Sequence, residues 1–273
     1  MKTLCSGAML FATLTHPAIA HEFWIEPDNH HPAPGALFRV GLRFGERFRG
    51  DVMPRVDELI EQYALIGPDG PQRLAGRSGG SVSFARPKTD GWHTLVYRSH
   101  RTFNEMEPKR FEAYLREEGL EAILPRRARL GEADKPGREV FSRCAKSLVL
   151  VGSDDGKAYD RTIGLPLEIT LGTNPARLGR AENLRAHVLI NGRPLEGARV
   201  VAVSRRDPGT LYESTTDQAG QVRFSLPYGG CWMLTTIHMT RAPKGIGADW
   251  ESLWASLTFD ARVRSSARPL RGE

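Results

Sequence analysis

The sequence predicts a mainly β protein built from two antiparallel β-sandwich domains, with a short helical insertion in the first. Short apolar or alternating runs dominate the 273 residues, and Gly, Pro, Asn and Asp separate these runs. Helical spacing of apolar residues occurs in one stretch only. Strands do not alternate with helices along the chain, as a parallel sheet would require. We therefore expect antiparallel sheets that pack face to face.

The first domain is predicted over residues 21–160. Its strand-like runs are HEFWIEP, LFRVGLRFG, QYALIGPDG, GSVSFARP, GWHTLVYRS and KSLVLVGS. Residues of about 108–125 instead carry apolar side chains at helical spacing, with Pro108 suited to a helix start and Pro125 to a stop. This predicts two short helices inserted into a β framework. The basic stretch PRRARLGEADKPGREV that follows is predicted to be a surface loop.

The second domain is predicted over residues 161–263, after a boundary near 155–165. Its runs are LPLEITLG, LRAHVLING, GARVVAVSRR, LYESTTDQAGQVRFSLP, CWMLTTIHMT and WASLTFDAR. Their spacing is typical of a seven-strand sandwich, and residues 218–220 suggest the turn of a hairpin. The polar residues 264–273 are predicted to form a flexible tail.

Residues 1–20 are predicted to be a signal peptide. Lys2 precedes an apolar run over 4–14, and the small residues Ala18 and Ala20 mark cleavage after Ala20. The run is too short to span a bilayer, and no later segment is apolar enough, so we expect no membrane span in the mature chain. The mature protein is predicted to be periplasmic. Its net charge, +6 before cleavage, could favour nucleic acid in the cytosol, but export excludes that partner.

Two cysteines, Cys144 and Cys231, remain after cleavage. A disulfide between them would close a long loop and contribute about 4 kcal/mol of stability. Isolated cysteines on apolar strands are also commonly buried as free thiols. The sequence leaves both possibilities open.

Cleavage after Ala20 would make His21 the first mature residue. An amino-terminal histidine offers its α-amine and its ring Nδ1 to one metal ion, and one more imidazole would complete a three-nitrogen site of the histidine-brace kind. Such nitrogen donors suit divalent transition metals, with copper at the top of the affinity order. The alternative is that His21 is merely the residue that cleavage leaves first.

Two further histidines are candidate metal ligands. His238 shares a strand face with Trp232 and Leu234, where a buried ring needs a polar partner. His93 shares a face with Leu95 and Tyr97, where a structural histidine at the edge of the core is the alternative. His30 and His31 lie in a Pro-rich loop, which either exposes them to solvent or folds back over the amino terminus.

The sequence predicts no enzyme. No HExxH, phosphate-binding or dinucleotide-binding motif occurs, so no catalytic or organic cofactor-binding residues are assigned. Asp249 and Glu251 lie beside Trp250 and Trp254, which suggests a sugar site, although packing explains such aromatics more simply. Two other functions stay open: a glycan- or protein-binding module without metal, and a copper-dependent oxygenase that uses a histidine brace.

Several of these stretches together resemble an uncharacterised family of exported bacterial proteins, a domain of unknown function. They are AHEFWIEP, RFEAYLREEGL, SRCAKSLVLVG, NGRPLEGARV, TTDQAGQVRF and DWESLWASLTF. That family has been linked to nickel and cobalt uptake transporters as a periplasmic accessory component. The resemblance implies immunoglobulin-like β-sandwich domains, and it supports His21 and His238 as motif histidines. The prediction is therefore a periplasmic protein that binds nickel, cobalt or copper and has a membrane metal-uptake transporter as its partner.

Overall fold

A computed structural model describes residues 22–179 and 182–262. The fold is mainly β, with sheets packed as sandwiches and a short helical segment, so the predicted fold class is confirmed. The predicted signal peptide, His21 and the predicted tail lie outside the described residues. Within the described ranges, the longest helix has ten residues, and none is long and apolar enough to cross a bilayer.

The strands fall on both sides of the helical segment. In the first half they are β1 (Glu22–Pro27), β2 (Phe38–Glu46), β3 (Arg49–Met53), β4 (Ile60–Gly67), β5 (Gly70–Arg73), β6 (Ser83–Ala85), β7 (Gly91–Ser99), β8 (Thr102–Met106) and β9 (Gly137–Val151). The helices α1 (Pro108–Glu117) and α2 (Leu124–Arg129) lie between β8 and β9. The second half contains β10 (Leu167–Leu171), β11 (Leu184–Ile190), β12 (Arg193–Pro194), β13 (Arg199–Ser204), β14 (Leu211–Thr215), β15 (Gln221–Phe224), β16 (Gly230–Arg241) and β17 (Trp250–Ala261).

A nine-stranded central sheet takes strands from both halves of the chain. Its order is β14-β13-β16-β17-β9-β7-β4-β5, and β8 also pairs with β9. The halves meet where β9 and β17 run parallel, from Glu139 opposite Trp250 to Ser147 opposite Thr258. The other pairs in the sheet are antiparallel. Strands from both sides of the predicted boundary near residue 160 therefore belong to this one sheet.

Two four-stranded outer sheets cover opposite faces of the central sheet. The sheet of β1, β2, β3 and β6 packs on the face that carries Leu95 and Val149. The sheet of β10, β11, β12 and β15 packs on the face that carries Val96 and Leu148. Neighbouring residues of a strand point to opposite faces, so one central sheet supplies both cores. We call these the amino-terminal and carboxy-terminal faces of the central sheet.

The turn predicted at 218–220 is present but does not close a hairpin. The backbone N–H of Gly220 donates to the carbonyl oxygen of Asp217 at 2.8 Å. However, β14 pairs with β13 in the central sheet, whereas β15 pairs with β11 in an outer sheet. The turn therefore carries the chain from one layer to another.

The predicted helical insertion is found, with one correction. Helix α1 buries Phe111, Tyr114 and Leu115 against the central sheet, in a core that includes Trp250. Pro125 does not stop a helix but lies in the first turn of α2, where its missing N–H costs no intrahelical hydrogen bond. The stretch predicted to be a surface loop therefore begins as helix, and its last residues belong to β9.

The two cysteines are free thiols. Cys144 is buried in the carboxy-terminal core. Trp232 belongs to the same core, so its neighbour Cys231 points to the opposite, amino-terminal face. The central sheet separates the two sulfur atoms, and this excludes the disulfide that the sequence left open.

A buried ion pair joins β9 to the carboxy-terminal outer sheet. Lys146 and Glu168 are 2% and 1% exposed, and Nζ donates to a carboxylate oxygen at 2.7 Å. Glu168 also accepts hydrogen bonds from the backbone N–H groups of Ile163, Gly164 and Leu165. One carboxylate thus fixes both the strand packing and the segment that leads into β10.

Candidate functional site

An acidic cleft of about 310 Å³ lies on the amino-terminal face, beside the first described residue. Its walls come from the start of β1, the end of α1, and strands β13, β14, β16 and β17. Apolar side chains form the floor, namely Phe23, Val201, Leu211, Ile237 and Trp254. Strand β1 is held over this face by a hydrogen bond from Thr258 Oγ1 to the carbonyl oxygen of Ile25 at 2.8 Å.

The polar lining of the cleft contains more carboxyl groups than guanidinium groups. Four glutamates, Glu22, Glu46, Glu117 and Glu118, face two arginines, Arg47 and Arg199. The guanidinium of Arg199 is engaged outside this set, since its Nε donates to Glu213 at 3.0 Å. The excess of carboxylates favours a cationic ligand.

Two of these carboxyl groups bind protons unusually tightly. Burial raises the pKa of Glu22 from 4.5 to about 7, although a hydrogen bond from the backbone N–H of Arg47 at 2.7 Å opposes the rise. Burial, and next the charge of Glu22, raise the pKa of Glu118 to about 8. Glu118 also follows the last residue of α1, where the helix dipole disfavours a negative charge. A cation bound between these groups would displace their protons.

A partly buried arginine, Arg143, contacts the aromatic rings at the floor of the cleft. The guanidinium carbon of Arg143 lies 5.4 Å from the ring centre of Phe23 and 5.5 Å from that of Trp254. Phe44 and Phe141 approach it at 5.0 and 5.4 Å. Burial lowers the pKa of Arg143 to about 10, so it is charged at neutral pH. Its cation–π contacts therefore fix the aromatic rings beneath the glutamates.

Gly119 allows the end of α1 to approach the sheet. Its φ of 70° lies in the left-handed region, and an added Cβ would stand 2.7 Å from Cδ of Arg199. The same arginine donates to the carbonyl oxygen of Glu117 at 3.2 Å. A glycine is thus needed both for the backbone turn and for the contact that places Glu118 at the cleft.

These pKa shifts predict how the stability of the protein depends on pH. A carboxyl group with a raised pKa in the folded state makes that state bind more protons than the unfolded state, so stability falls as the pH rises from 4.5 towards 8. Glu118→Gln removes the contribution of Glu118 to this dependence. We expect the variant to gain on the order of 1–2 kcal/mol over the wild type between pH 5 and 8, after a discount for partial exposure. Urea unfolding across this range, with chelator present, measures the difference.

Glu112→Gln provides the matched control for this experiment. Glu112 lies on the same helix, is about half exposed, and pairs with Arg116 one turn away. Its stability difference from the wild type should stay nearly constant over the same pH range. Parallel curves for Glu118→Gln and the wild type would show that Glu118 is not a buried, proton-binding carboxyl group.

The structure does not bring His238 to this cleft. Ile237 and Trp254 line the cleft, whereas His238 and its cross-strand neighbour Leu253 line a different one on the other face of the sheet. Its predicted parity with Trp232 and Leu234 is found. Trp232 and Leu234 pack in the carboxy-terminal core. The ring of His238 lies on the same face as they do and therefore points away from β1.

His93 also lies apart from the cleft. Its ring Nδ1 is 3.0 Å from the carbonyl oxygen of Gly91, and the ring occupies the space that a side chain on Gly67 would need. The residue is 3% exposed, and burial lowers its pKa, so the ring is neutral. These contacts give His93 a packing role. This matches the alternative stated above, in which His93 is a structural histidine on the same strand face as Leu95 and Tyr97.

His21 itself lies outside the described residues, one position before Glu22. Within 22–179 and 182–262, no group of three or more His, Cys, Asp or Glu side chains is arranged to hold a metal ion. A metal centre at the cleft would therefore need donors from beyond these ranges, and His21 is the adjacent one.

Sequence reasoning missed the carboxylates that define the cleft. No sequence pattern identified Glu22 or Glu118 as a candidate ligand. One available signal was the pair Glu117-Glu118 directly before Gly119. Negative charge at the carboxyl end of a helix is electrostatically unfavourable, so two carboxyl groups there indicate a possible functional role.

The fold and the cleft define a mainly β sandwich protein with an acidic, partly apolar binding cleft. The chain belongs to the family described as a domain of unknown function, DUF4198, whose model matches residues 18–240. No curated protein matches the chain.

Solved structures give weak similarities to domains of adhesion proteins. The D0-D1 domain of intimin is 10% identical, with 86% of this chain and 96% of that chain covered, at a TM-score of 0.22. A tetra-tandem repeat from the extending region of a large adhesion protein is 13% identical, with 89% and 50% covered, at a TM-score of 0.20. Similarity at this level carries no information about function.

Proposed function

We propose that this protein is exported to the periplasm and binds a divalent transition metal ion, nickel, cobalt or copper, without acting as an enzyme. The observation that carries the proposal is the cleft at Glu22, in which two carboxyl groups of raised pKa meet beside the predicted mature amino terminus. Cleavage after Ala20 would place an α-amine and an imidazole, both from His21, one residue from Glu22.

The donor types fit a divalent transition metal. His21 would supply two nitrogen donors, and Glu22 and Glu118 would supply carboxylate oxygens, which stabilise a divalent charge. Imidazole suits copper, nickel and zinc, and copper stands highest in affinity for such a set. Metal binding would release the protons that the two glutamates hold near neutral pH. We place Glu118 in the proposed ligand set and leave out His238 and His93, which lie on the far side of the sheet and in the packed interior.

The proposal includes delivery of the ion to a membrane metal-uptake transporter. It is supported by the resemblance of the chain to exported proteins linked to nickel and cobalt uptake. The exposed rim of the cleft also suits transfer, because an ion held at the surface can pass to a partner without unfolding of the core.

Competition titration of the processed protein with Cu(II) and Ni(II) tests the proposed ligand set. Glu118→Gln should weaken binding by roughly 10- to 100-fold, since it removes a charged donor. His238→Ala should leave the affinity unchanged. Equal affinities for Glu118→Gln and the wild type, or a loss in His238→Ala, would contradict the proposed placement of the metal.

A second function is favoured by the apolar floor of the same cleft. Phe23, Ile237 and Trp254 would suit a cationic segment of a partner protein, with the glutamates as counter-charges. Intact-mass measurement with and without copper or nickel separates this module from a metal-binding protein. Production of peroxide by the copper-loaded protein with ascorbate would instead favour the oxygenase alternative.

A further inference from the structure

A pair of potential metal ligands, His30 and Cys231, lies at the other end of β1. The loop after this strand places His30 against Cys231 and His31 against Asp260. Cys231 and Asp260 are direct cross-strand neighbours on β16 and β17. Strand β1 has six residues, Glu22 to Pro27, so the loop starts about 20 Å along the extended chain from Glu22. The pair is therefore distinct from the acidic cleft.

The backbone fixes the ring of His30 in one tautomer. Its Nδ1 lies 2.8 Å from the carbonyl oxygen of Leu148 and can only donate to it, while its own carbonyl oxygen accepts from the N–H of Leu150 at 2.9 Å. In the neutral ring, Nε2 then carries a free lone pair. Burial lowers the pKa of His30, which keeps the ring neutral. Metal-binding histidines typically have their second ring nitrogen anchored in this way.

The lone pair of His30 points at a thiol. Nε2 lies 3.6 Å from Sγ of Cys231, a residue that is only partly buried. One ion with bonds of about 2.0 Å to nitrogen and 2.3 Å to sulfur can bridge atoms up to about 4.3 Å apart. The two donors can therefore bind the same ion after small side-chain movements.

The surroundings of the pair favour a positive ion. The carboxylate of Asp260 lies beside Cys231, and it is oriented by Nε2 of His31 at 2.8 Å. Nδ1 of His31 is buried and has no hydrogen-bond partner within the described residues. Arg205, the nearby cation, is engaged with Glu26. These surroundings thus contain a negative charge and an unused nitrogen lone pair.

We propose that His30 and Cys231 form a second metal site, specific for a soft monovalent ion such as Cu(I). Thiolate sulfur suits both Cu(I) and Zn(II), but Cu(I) accepts two ligands, whereas Zn(II) and Ni(II) require more than the His30–Cys231 pair supplies. On binding, the Cys231 S–H bond breaks and its proton leaves to solvent, while bonds form from Sγ and Nε2 to the ion. The ion enters as Cu(I), so no electron is transferred.

Anaerobic competition of the mature protein with a chromophoric Cu(I) chelator tests this proposal. Cys231→Ser should lose at least about 100-fold in Cu(I) affinity, and His30→Gln about tenfold. Cys144→Ser is the matched control, because it removes the other thiol from the opposite face, and it should bind Cu(I) as the wild type does. Wild-type affinity in Cys231→Ser, or an equal loss in Cys144→Ser, would overturn the proposal.

Alkylation of the wild-type protein provides a test that does not depend on the folding of a variant. Cu(I) should protect Cys231 from iodoacetamide, as located by peptide mass spectrometry, and labelling of Cys231 at the same rate with and without Cu(I) would contradict the site. Titration of Cys231→Ser with Cu(II) and Ni(II) distinguishes the proposed Cu(I) site from the metal site proposed at the cleft. These titrations should match the wild type even if the proposal for His21 fails.

Discussion

Adding one residue ahead of His21 is expected to weaken Cu(II) and Ni(II) binding by about 100-fold or more, roughly 2.7 kcal/mol. The extension turns the α-amine of His21 into an amide and removes the chelate that its amine and ring form together. Only the imidazole and the carboxylates of Glu22 and Glu118 would then remain as donors. Competition titration of the processed and extended proteins, side by side, measures the loss.

Chemical acetylation of the amino terminus provides the matched comparison, because it blocks the amine without adding a side chain. Both blocked proteins should keep the wild-type unfolding transition in chelator. If either one bound Cu(II) or Ni(II) as tightly as the processed protein, His21 would not be the metal ligand. Amino-terminal sequencing of protein from the periplasm must first find His21 at position one, since another cleavage site would remove the chelate altogether.

The same site should lose affinity in acid. The α-amine, with an ordinary pKa of about 7.7–8.0, and the imidazole, near 6.5, must both be unprotonated to bind the ion. The raised pKa values of Glu22 and Glu118, about 7 and about 8, add two more competing protons. Below about pH 6, each further unit should cost up to tenfold per competing proton. An affinity that is constant between pH 8 and 5 would contradict a nitrogen and carboxylate site.

Glu168→Gln is expected to destabilise the protein by about 3–5 kcal/mol, the largest effect on stability that we predict. The change leaves the ammonium group of Lys146 buried without its counter-charge. It also sets an amide against the N–H groups of Ile163, Gly164 and Leu165, which the carboxylate now satisfies. Urea unfolding at neutral pH, followed by tryptophan fluorescence, measures the loss.

Lys146→Met separates the charge from the hydrogen bonds. It fills the same space with an apolar chain and leaves Glu168 with its three backbone donors, so its cost should be smaller than that of Glu168→Gln. Glu112→Gln, which breaks an exposed ion pair within α1, should cost less than about 0.5 kcal/mol. If Glu168→Gln also lost less than about 0.5 kcal/mol of stability, the buried ion pair would not be holding the outer sheet to β9.

Local patterns were sufficient to predict the strands and the helical segment. The alternation that placed His93 with Leu95 and His238 with Trp232 reflects backbone geometry, so the structure retains it. The pattern could not tell which face of a strand would meet β1, because this depends on how distant strands pair. The sequence left the disulfide open for the same reason. Cys144 and Cys231 lie on two strands of one sheet and point to opposite faces, which only the strand pairing determines.

The shared central sheet and the cleft could not be predicted for a related reason. Both β9 and β17 show strand patterns, but nothing local specifies that they pair in parallel. The cleft joins the start of β1 to the end of α1, and the burial of Glu22 and Glu118 arises only when these segments meet. The raised pKa values are thus properties of the tertiary structure.

The parallel pairing of β9 with β17 has a consequence for how the chain folds. Glu139 finds its partner in Trp250, 111 positions later, so the central sheet closes only once the final strand is available. Contacts this distant in sequence make folding slow. The edge of β9 that pairs with β17 would therefore stay open until the last described strand joined it. Closure of the central sheet is thus expected to be a late step in folding.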